Sequence, residues 1–143
     1  MIIPDINVLL HAYNADSLRH AKVKAWWSET LSGSRPVGLP WHCILGFIRI
    51  STNPRFTLAP WRPSRAVAEI RKWLAEPCVE IILPGDSHAE ILFGLIEKVG
   101  IAGNLTSDAH LAALAIEYHA ELASTDSDFA KFPGLRWFNP SQS

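Results

Sequence analysis

The stretch SDAHLAALAIEYHAELASTDSDF, residues 107–129, indicates the fold of this chain most directly. Its first half is rich in Ala and Leu and predicts a helix over residues 107–119 that begins with a Ser-Asp cap. The segment AELAS then predicts a strand, and TDSDF follows it with two carboxylates, Asp126 and Asp128. A helix that leads straight into a strand is typical of α/β domains.

The rest of the chain alternates between strands and helices in the same way. Further strands are predicted over residues 2–5, 37–40, 79–83 and 135–139, and further helices over 7–14, 17–31, 41–51, 64–75 and 87–99. Ser17 and Ser64 are candidate N-caps, and residues 52–63, with three prolines, are predicted to be largely loop. We therefore predict one α/β domain over residues 1–143, with helices on both faces of a short, mostly parallel central sheet.

The composition is that of an ordinary globular domain, with 143 residues, 48% hydrophobic and 19% charged. No apolar run reaches the ~18 residues that a bilayer span needs, and the N-terminus lacks the basic start of a signal peptide. We therefore expect a cytoplasmic protein with no membrane partner. Cys43 and Cys78 have no metal-ligand spacing, and the sequence leaves open whether they are two buried thiols or one disulfide.

Charge is unevenly distributed along the chain. Residues 49–72 carry six basic side chains and one acid, whereas residues 76–128 carry ten acids and one lysine. Such a pair of segments fits a polyanion-binding rim beside an acidic pocket. Two solvated helix faces would give the same pattern.

Three acids fall at comparable places in the predicted fold. Asp5 closes the first strand, Asp108 opens a helix, and Asp126 follows the strand AELAS. Because ligands of such folds bind beyond the carboxyl ends of the strands, these carboxylates are expected to converge there. Three converging carboxylates repel each other unless a cation neutralises them, and Mg²⁺ prefers oxygen ligands. The alternatives are a helix cap for Asp108 and turn roles for Asp126 and Asp128.

The chain resembles the PIN-domain nucleases and, among them, the VapC toxins of toxin–antitoxin pairs. The segments that carry the resemblance are PDINVLLHAY (4–13), FIRISTNPR (47–55) and NLTSDAHLAALAIEYHAELASTDSDFAKFPGLRWFNP (104–140). The resemblance implies a PIN-like α/β/α sandwich and a Mg²⁺-dependent endoribonuclease, with Mn²⁺ as a substitute metal. It implies that Asp5, Asp108 and Asp126 hold the metal and act in catalysis. It also implies a cognate antitoxin and a homodimer, and the helices around Trp26 and Trp73 are candidates for that interface.

The resemblance also implies supporting residues around the acids. Asn7 is expected to hydrogen-bond the first carboxylate, and Thr125 to orient Asp126 or a water. Asp128 is expected to support the loop or to share the metal. In the basic segment, Arg49 and Arg55 are candidates for contacts with RNA phosphates.

One position departs from the family pattern. The family commonly has a Glu just before the apolar-Arg segment of the third helix, where this chain has Gly46. His42 lies one helical turn earlier and is a candidate substitute. The departure keeps open a degenerate PIN domain that binds RNA or an antitoxin without cleavage. A receiver-like phosphoacceptor domain fits less well, because Asp86 follows Pro-Gly rather than ending a strand.

Overall fold

The computed structural model describes residues 1–100 and 103–142. Within these ranges the chain forms five strands, β1 Ile2–Pro4, β2 Val37–Pro40, β3 Val79–Ile82, β4 Glu121–Ala123 and β5 Arg136–Phe138. The helices are α1 Ile6–Tyr13, α2 His20–Ser32, α3 Trp41–Ser51, α4 Pro63–Ala75, α5 His88–Val99 and α6 Thr106–Glu117, with 3₁₀ turns at Gly103–Leu105 and Ser127–Lys131. None of these helices is long and apolar enough to cross a membrane.

The strands form one sheet in the order β3-β2-β1-β4-β5, and each neighbouring pair is parallel. The predicted α/β fold with a mostly parallel sheet is thereby confirmed. The chain leaves β1 towards β2 and β3 and later returns to add β4 and β5 on the other side. The strand order therefore reverses between β1 and β4, the position at which sheets of this kind form a crevice beyond the carboxyl ends of the strands.

The central strands are buried and the core on one face is aromatic. Trp27, Phe47 and Trp73 are at most 2% exposed, and the Trp73 ring packs edge-on against the other two. The Trp73 Nε1–H donates to the Tyr13 hydroxyl at 2.7 Å. Edge-to-face packing of this kind is favourable beyond the area that it buries.

The burial of Trp73 limits how its helix could serve a subunit interface. Trp73 is 1% exposed and belongs to the core, so any interface on α4 would use other side chains of that helix. Trp26 is half-buried and packs against Trp27 and Phe138. Helical position alone did not separate a core tryptophan from an interface tryptophan.

The helix starts also differ from the predicted caps. The N-caps are Arg19 for α2, Arg62 for α4 and Leu105 for α6, and none of them makes a side-chain cap bond. Pro63 begins α4, where its fixed φ is compatible with the first helical turn. Gly100 ends α5 with a φ of 67°, as predicted. Cys43 and Cys78 are free thiols, the first buried and the second partly buried.

Candidate active site at the carboxyl edge of the sheet

Asp5 lies at the start of the crevice, directly after the central strand β1. It is the N-cap of α1, and its Oδ1 accepts the Ile6 backbone N–H at 2.7 Å. Its own backbone N–H donates to the Ala123 carbonyl at 2.9 Å, which continues the β1–β4 pairing. The residue is 8% exposed. Asp5 is therefore held rigidly, as the end of a strand and the start of a helix at once.

A buried hydroxyl, that of Ser124, connects Asp5 to the loop after β4. Ser124 Oγ donates to Asp5 Oδ2 at 2.7 Å and accepts from the Asp126 backbone N–H at 3.0 Å. It also accepts from Asn7 Nδ2 at 3.1 Å. These bonds use the one donor and both acceptor sites of a hydroxyl. This role of Ser124 was not predicted from the sequence, although Ser124 directly follows Ala123, which pairs with Pro4 in the sheet.

Asn7 and Thr125 contact this group differently from the sequence-based expectation. Asn7 reaches Asp5 through Ser124, and its Oδ1 accepts the Thr125 backbone N–H at 3.2 Å. Thr125 thus contributes its backbone N–H, whereas the hydroxyl that contacts the acidic residues belongs to Ser124.

Asp126 and Asp128 have distinct environments in the loop TDSDF. Asp126 is the N-cap of the 3₁₀ turn, and its Oδ1 accepts the Asp128 N–H at 2.9 Å. Asp128 forms an exposed ion pair with Lys131, with 3.2 Å between its Oδ1 and the Lys131 Nζ. Asp128 is therefore engaged at the surface, while Asp126 faces the hydrogen-bonded group around Ser124.

Asp108 completes the set from the first turn of α6. Burial raises its pKa to about 6, and the negative charges of Asp5, Asp126 and Asp128 add to the rise. Burial also raises the pKa of Asp5, against the lowering effect of the hydrogen bonds from Ser124 and Ile6. The charge of Asp126 raises the pKa of Asp5 further, and that of His42 lowers it. The fold thus brings the three predicted acids within electrostatic range of each other.

These carboxylates suit an incompletely enclosed metal position. In the described ranges no three His, Cys, Asp or Glu side chains lie close enough together to hold a metal ion among them. Mg²⁺ commonly keeps several waters and binds through one or two carboxylates. Mutual repulsion among Asp5, Asp108 and Asp126 is the physical reason why a divalent cation would be favoured here. The donor set therefore fits Mg²⁺ or Mn²⁺ and gives no preference for a softer metal.

Gly46 is buried, and the space above it is filled. A Cβ built on Gly46 would lie 2.2 Å from Ile6 Cδ1, far inside a normal contact distance. The Ile6 side chain thus occupies the volume that the Cβ of a longer residue at position 46 would need. A carboxylate cannot be accommodated there unless Ile6 moves.

Three histidines form a row beside the acidic residues. His42, in the first turn of α3, stacks edge-on against His110, with 5.9 Å between ring centroids. His110 Nδ1 lies 3.0 Å from Nε2 of His88, which is 8% exposed. His42 lowers the pKa of Asp5, so it lies within electrostatic range of the site. Whether it acts there remains a prediction.

Arg49 and Arg55 do not join the acids. α3 begins at Trp41, next to the carboxyl edge of the sheet, and Arg49 lies in its last turn, about 12 Å further along the helix axis. Arg55 is exposed in the loop that follows. Contacts of these side chains with RNA remain a prediction, and any such contacts would lie away from the acidic site.

Comparison with known proteins agrees with this geometry. The model of the PIN domain family matches residues 2–135. This chain belongs to the PIN domain family. The curated relatives of this PIN domain include Ribonuclease VapC33 of Mycobacterium tuberculosis, 44% identical over 98% of both chains, and Ribonuclease VapC37 of the same species, 41% identical over 98% of this chain and 97% of the relative. These identities place it with the VapC ribonucleases.

Solved structures share the fold of this PIN domain at lower sequence identity. VapBC2 from Rickettsia felis, bound to promoter DNA, aligns with a TM-score of 0.70 and 19% identity, over 97% of this chain and 98% of that one. M. tuberculosis VapC20, described as a sarcin-ricin loop cleaving toxin, aligns with a TM-score of 0.67 and 21% identity, over 95% and 99%. At these identities the similarity is evidence for the fold alone.

Proposed function

We propose that the chain is a metal-dependent endoribonuclease and the toxin of a toxin–antitoxin pair. The observation that carries this proposal is that Asp5, Asp108 and Asp126 lie within electrostatic range of one another, with the pKa of Asp108 raised to about 6 by burial and by its acidic neighbours. The membership in the VapC ribonucleases supports the same activity. When bound, Mg²⁺ or Mn²⁺ would neutralise phosphate charge and lower the pKa of an attacking water.

The residues of the chain have separable roles in this proposal. Asp5 is a fixed metal-holding carboxylate, because two hydrogen bonds orient both of its oxygens. Asp126 supplies a second carboxylate from the other side of the β1–β4 crevice. Asp108 supplies the third carboxylate, and a bound cation would offset the burial and the acidic neighbours that raise its pKa to about 6.

The helix ends add favourable electrostatics for an RNA phosphate. α1 and α3 both begin directly after strands, at Ile6 and Trp41, so their N-termini point to the same edge of the sheet. The positive end of a helix dipole stabilises a nearby anion. The carboxylates repel a bare phosphodiester, so the cation and these N-termini must compensate for that repulsion.

The partners in this proposal are an RNA substrate, encountered in the cytoplasm, and a cognate antitoxin. A similar structure from Klebsiella pneumoniae is described as a toxin–antitoxin complex, which supports an antitoxin partner here. A homodimer stays part of the proposal, formed through a surface that does not include Trp73.

A second candidate is a PIN domain that binds RNA or an antitoxin without cutting. The contact between Gly46 and Ile6 favours it, because it closes the position where the family commonly has a fourth acid. We rank it second, since the three remaining carboxylates still influence each other's pKa.

Cleavage of total cellular RNA by the purified, antitoxin-free protein tests the proposal. Reactions with Mg²⁺, with Mn²⁺ and with EDTA are compared for the natural protein, Asp5→Asn and the exposed control Asp86→Asn. We expect metal-dependent cuts that Asp5→Asn loses and Asp86→Asn keeps. Folded protein that binds RNA but never cuts it would establish the second candidate instead.

A further inference from the structure

A cavity of about 470 Å³ lies at the end of α1 opposite to the acidic site. Its walls come from the last turns of α1 and α3 and from the loop before α4, and four aromatic side chains line it: Tyr13, Phe47, Phe56 and Trp61. Its volume falls in the range of ordinary small-ligand sites. The core fixes most of this lining, because the Trp61 ring packs edge-on against both Tyr13 and Phe47.

One aromatic ring of the lining is held away from the core. Phe56 is 57% exposed, although it belongs to the cavity wall. An apolar ring that stays half in solvent beside a cavity gains burial when a flat ligand stacks on it.

The polar part of the lining offers both donors and acceptors. His11, Asn14 and Asp16 contribute an imidazole, an amide and a carboxylate. Burial lowers the pKa of His11, and its Nδ1 is engaged with the Ser17 hydroxyl at 2.7 Å, so Nε2 is the ring nitrogen that can bond to a ligand. The edge of a nucleobase presents the same mixture of donors and acceptors.

Positive charge lies at the mouth of the cavity. The Arg65 guanidinium sits 3.8 Å above the centre of the Trp61 ring and also lines the cavity. Arg55 and Arg62 are exposed nearby in the chain, within the basic segment 49–72. Arginine paired with an aromatic ring is a common arrangement for binding a phosphate beside a stacked base.

We propose that this cavity binds a nucleobase of the RNA substrate, with Phe56 stacking on the base and Arg65 contacting the adjoining phosphate. The inference rests on the proposed ribonuclease function and adds a substrate subsite to it. α1 spans eight residues, so the cavity lies about 12 Å from Asp5. That distance corresponds to about four nucleotides at the ~3.4 Å rise of a stacked strand. The subsite would therefore select substrates with an unpaired base a few nucleotides from the cleaved bond.

The shape and charge of the cavity favour RNA over a peptide. It is a confined pocket with a basic mouth, which fits one flat group joined to a phosphate. An apolar peptide would gain little from Arg65 and Asp16. A protein partner remains a distinguishable outcome of the experiment.

The experiment measures RNA affinity by fluorescence anisotropy in EDTA, so that binding is observed without cleavage. The probe is a labelled, mixed-sequence single-stranded RNA of about 12 nucleotides. Phe56→Ala is compared with Leu58→Ala, which changes a fully exposed residue of the same loop outside the cavity lining. Arg65→Gln is compared with Arg71→Gln, which removes the same charge from the same helix at another exposed position.

We expect Phe56→Ala and Arg65→Gln to weaken RNA binding about tenfold, the effect typical of losing one stacked base, and both controls to stay within about twofold of the natural protein. Equal affinities for all five proteins, or no RNA binding by the natural protein, would overturn the subsite. RNA binding by Phe56→Ala and Arg65→Gln at the natural affinity would leave a protein partner as the occupant of the cavity. Cavity-dependent binding without metal-dependent cleavage would instead refute the nuclease function and leave the subsite intact.

Discussion

The hydroxyl of Ser124 shows how strongly one small residue can organise the site. It bonds to the Asp5 carboxylate and the Asn7 amide in one segment of the chain and to the Asp126 backbone N–H in another. Because Ser124 is fully buried, the polar groups that it satisfies have no water to replace it. The positions of Asp5 and Asp126 therefore depend on Ser124, although Ser124 has no carboxylate of its own.

Ser124→Ala should lower both stability and activity. The change removes the donor to Asp5 Oδ2 and leaves the Asp126 N–H without its acceptor, and buried losses of this kind cost about 1–3 kcal/mol. Loss of the bond to Ser124 should also raise the pKa of Asp5 further and weaken metal binding. Urea denaturation and RNA cleavage measure the two effects. The matched control is Ser127→Ala, an exposed hydroxyl of the same loop; equal behaviour of the two variants would exclude the role given to Ser124.

Asp108 should make the stability of the metal-free protein depend on pH. Its pKa is about 6 in the folded chain against 3.8 for the unconstrained side chain, so the folded state binds more protons between about pH 4 and pH 6. The free energy of unfolding should therefore fall as the pH rises through this window. Above the window, the folded state has the full cost of keeping Asp108 ionised. Asp108→Asn removes that cost. We expect it to melt at a higher temperature than the natural protein at pH 7.5 in EDTA, with the difference disappearing near pH 4.

Added Mg²⁺ gives this prediction its control. A cation that binds the acids stabilises only the protein with an intact site. It should therefore reduce or reverse the difference in melting temperature by which Asp108→Asn exceeds the natural protein at pH 7.5. An Asn variant that is no more stable than the natural protein at either pH would mean that neither burial nor the neighbouring acids raise the pKa of Asp108 in the folded chain.

Among the helices, α3 depends on a contact that its own sequence does not reveal. Gly46 lies under the Ile6 side chain of α1, and the two helices approach closely at this point. The segment Trp41–Ser51 was predicted at its observed bounds because it is largely apolar. The partner of Gly46 could not be predicted, since Ile6 is forty positions away in the chain.

Gly46→Ala should destabilise the protein, although alanine is the better helix former. The added methyl would lie 2.2 Å from Ile6 Cδ1, and overpacking of this kind typically costs about 1–3 kcal/mol. Gly94→Ala in α5 is the matched comparison, because nothing lies within 4 Å of a Cβ built there. It should stabilise by roughly 0.5–1 kcal/mol. Thermal denaturation of both variants measures these changes in stability. A stabilising Gly46→Ala would contradict the close contact with Ile6.

Much of the site could be predicted from the sequence, because the sheet was predicted to be parallel. Asp5 and Asp126 each follow a strand, and adjacent parallel strands place such residues side by side, so their convergence was predictable. The cap assigned to Ser107 was wrong, because α6 begins at Thr106 after a 3₁₀ turn. Ser124 was missed because a buried hydroxyl leaves no periodic pattern, and its importance depends on the register of β1 and β4.

The molecule as a whole separates two regions along α1. The acidic site lies at the helix N-terminus, where the sheet order reverses, and the aromatic cavity lies beyond its C-terminus. The acidic segment, residues 76–128, contributes to the acidic site. The basic segment, residues 49–72, contributes to the aromatic cavity. Such a separation allows the cation position and the base-binding position to be altered independently.

The central claim is that Asp5, Asp108 and Asp126 jointly hold a divalent cation, and a calorimetric titration with Mn²⁺ tests it most directly. The natural protein is compared with Asp5→Asn, Asp108→Asn and Asp126→Asn, and with Asp16→Asn, which changes an exposed acid at the far end of α1. We predict saturable binding that each of the first three variants weakens at least tenfold and Asp16→Asn leaves unchanged. Binding that survives all three substitutions, or no binding by the folded natural protein, would contradict the account.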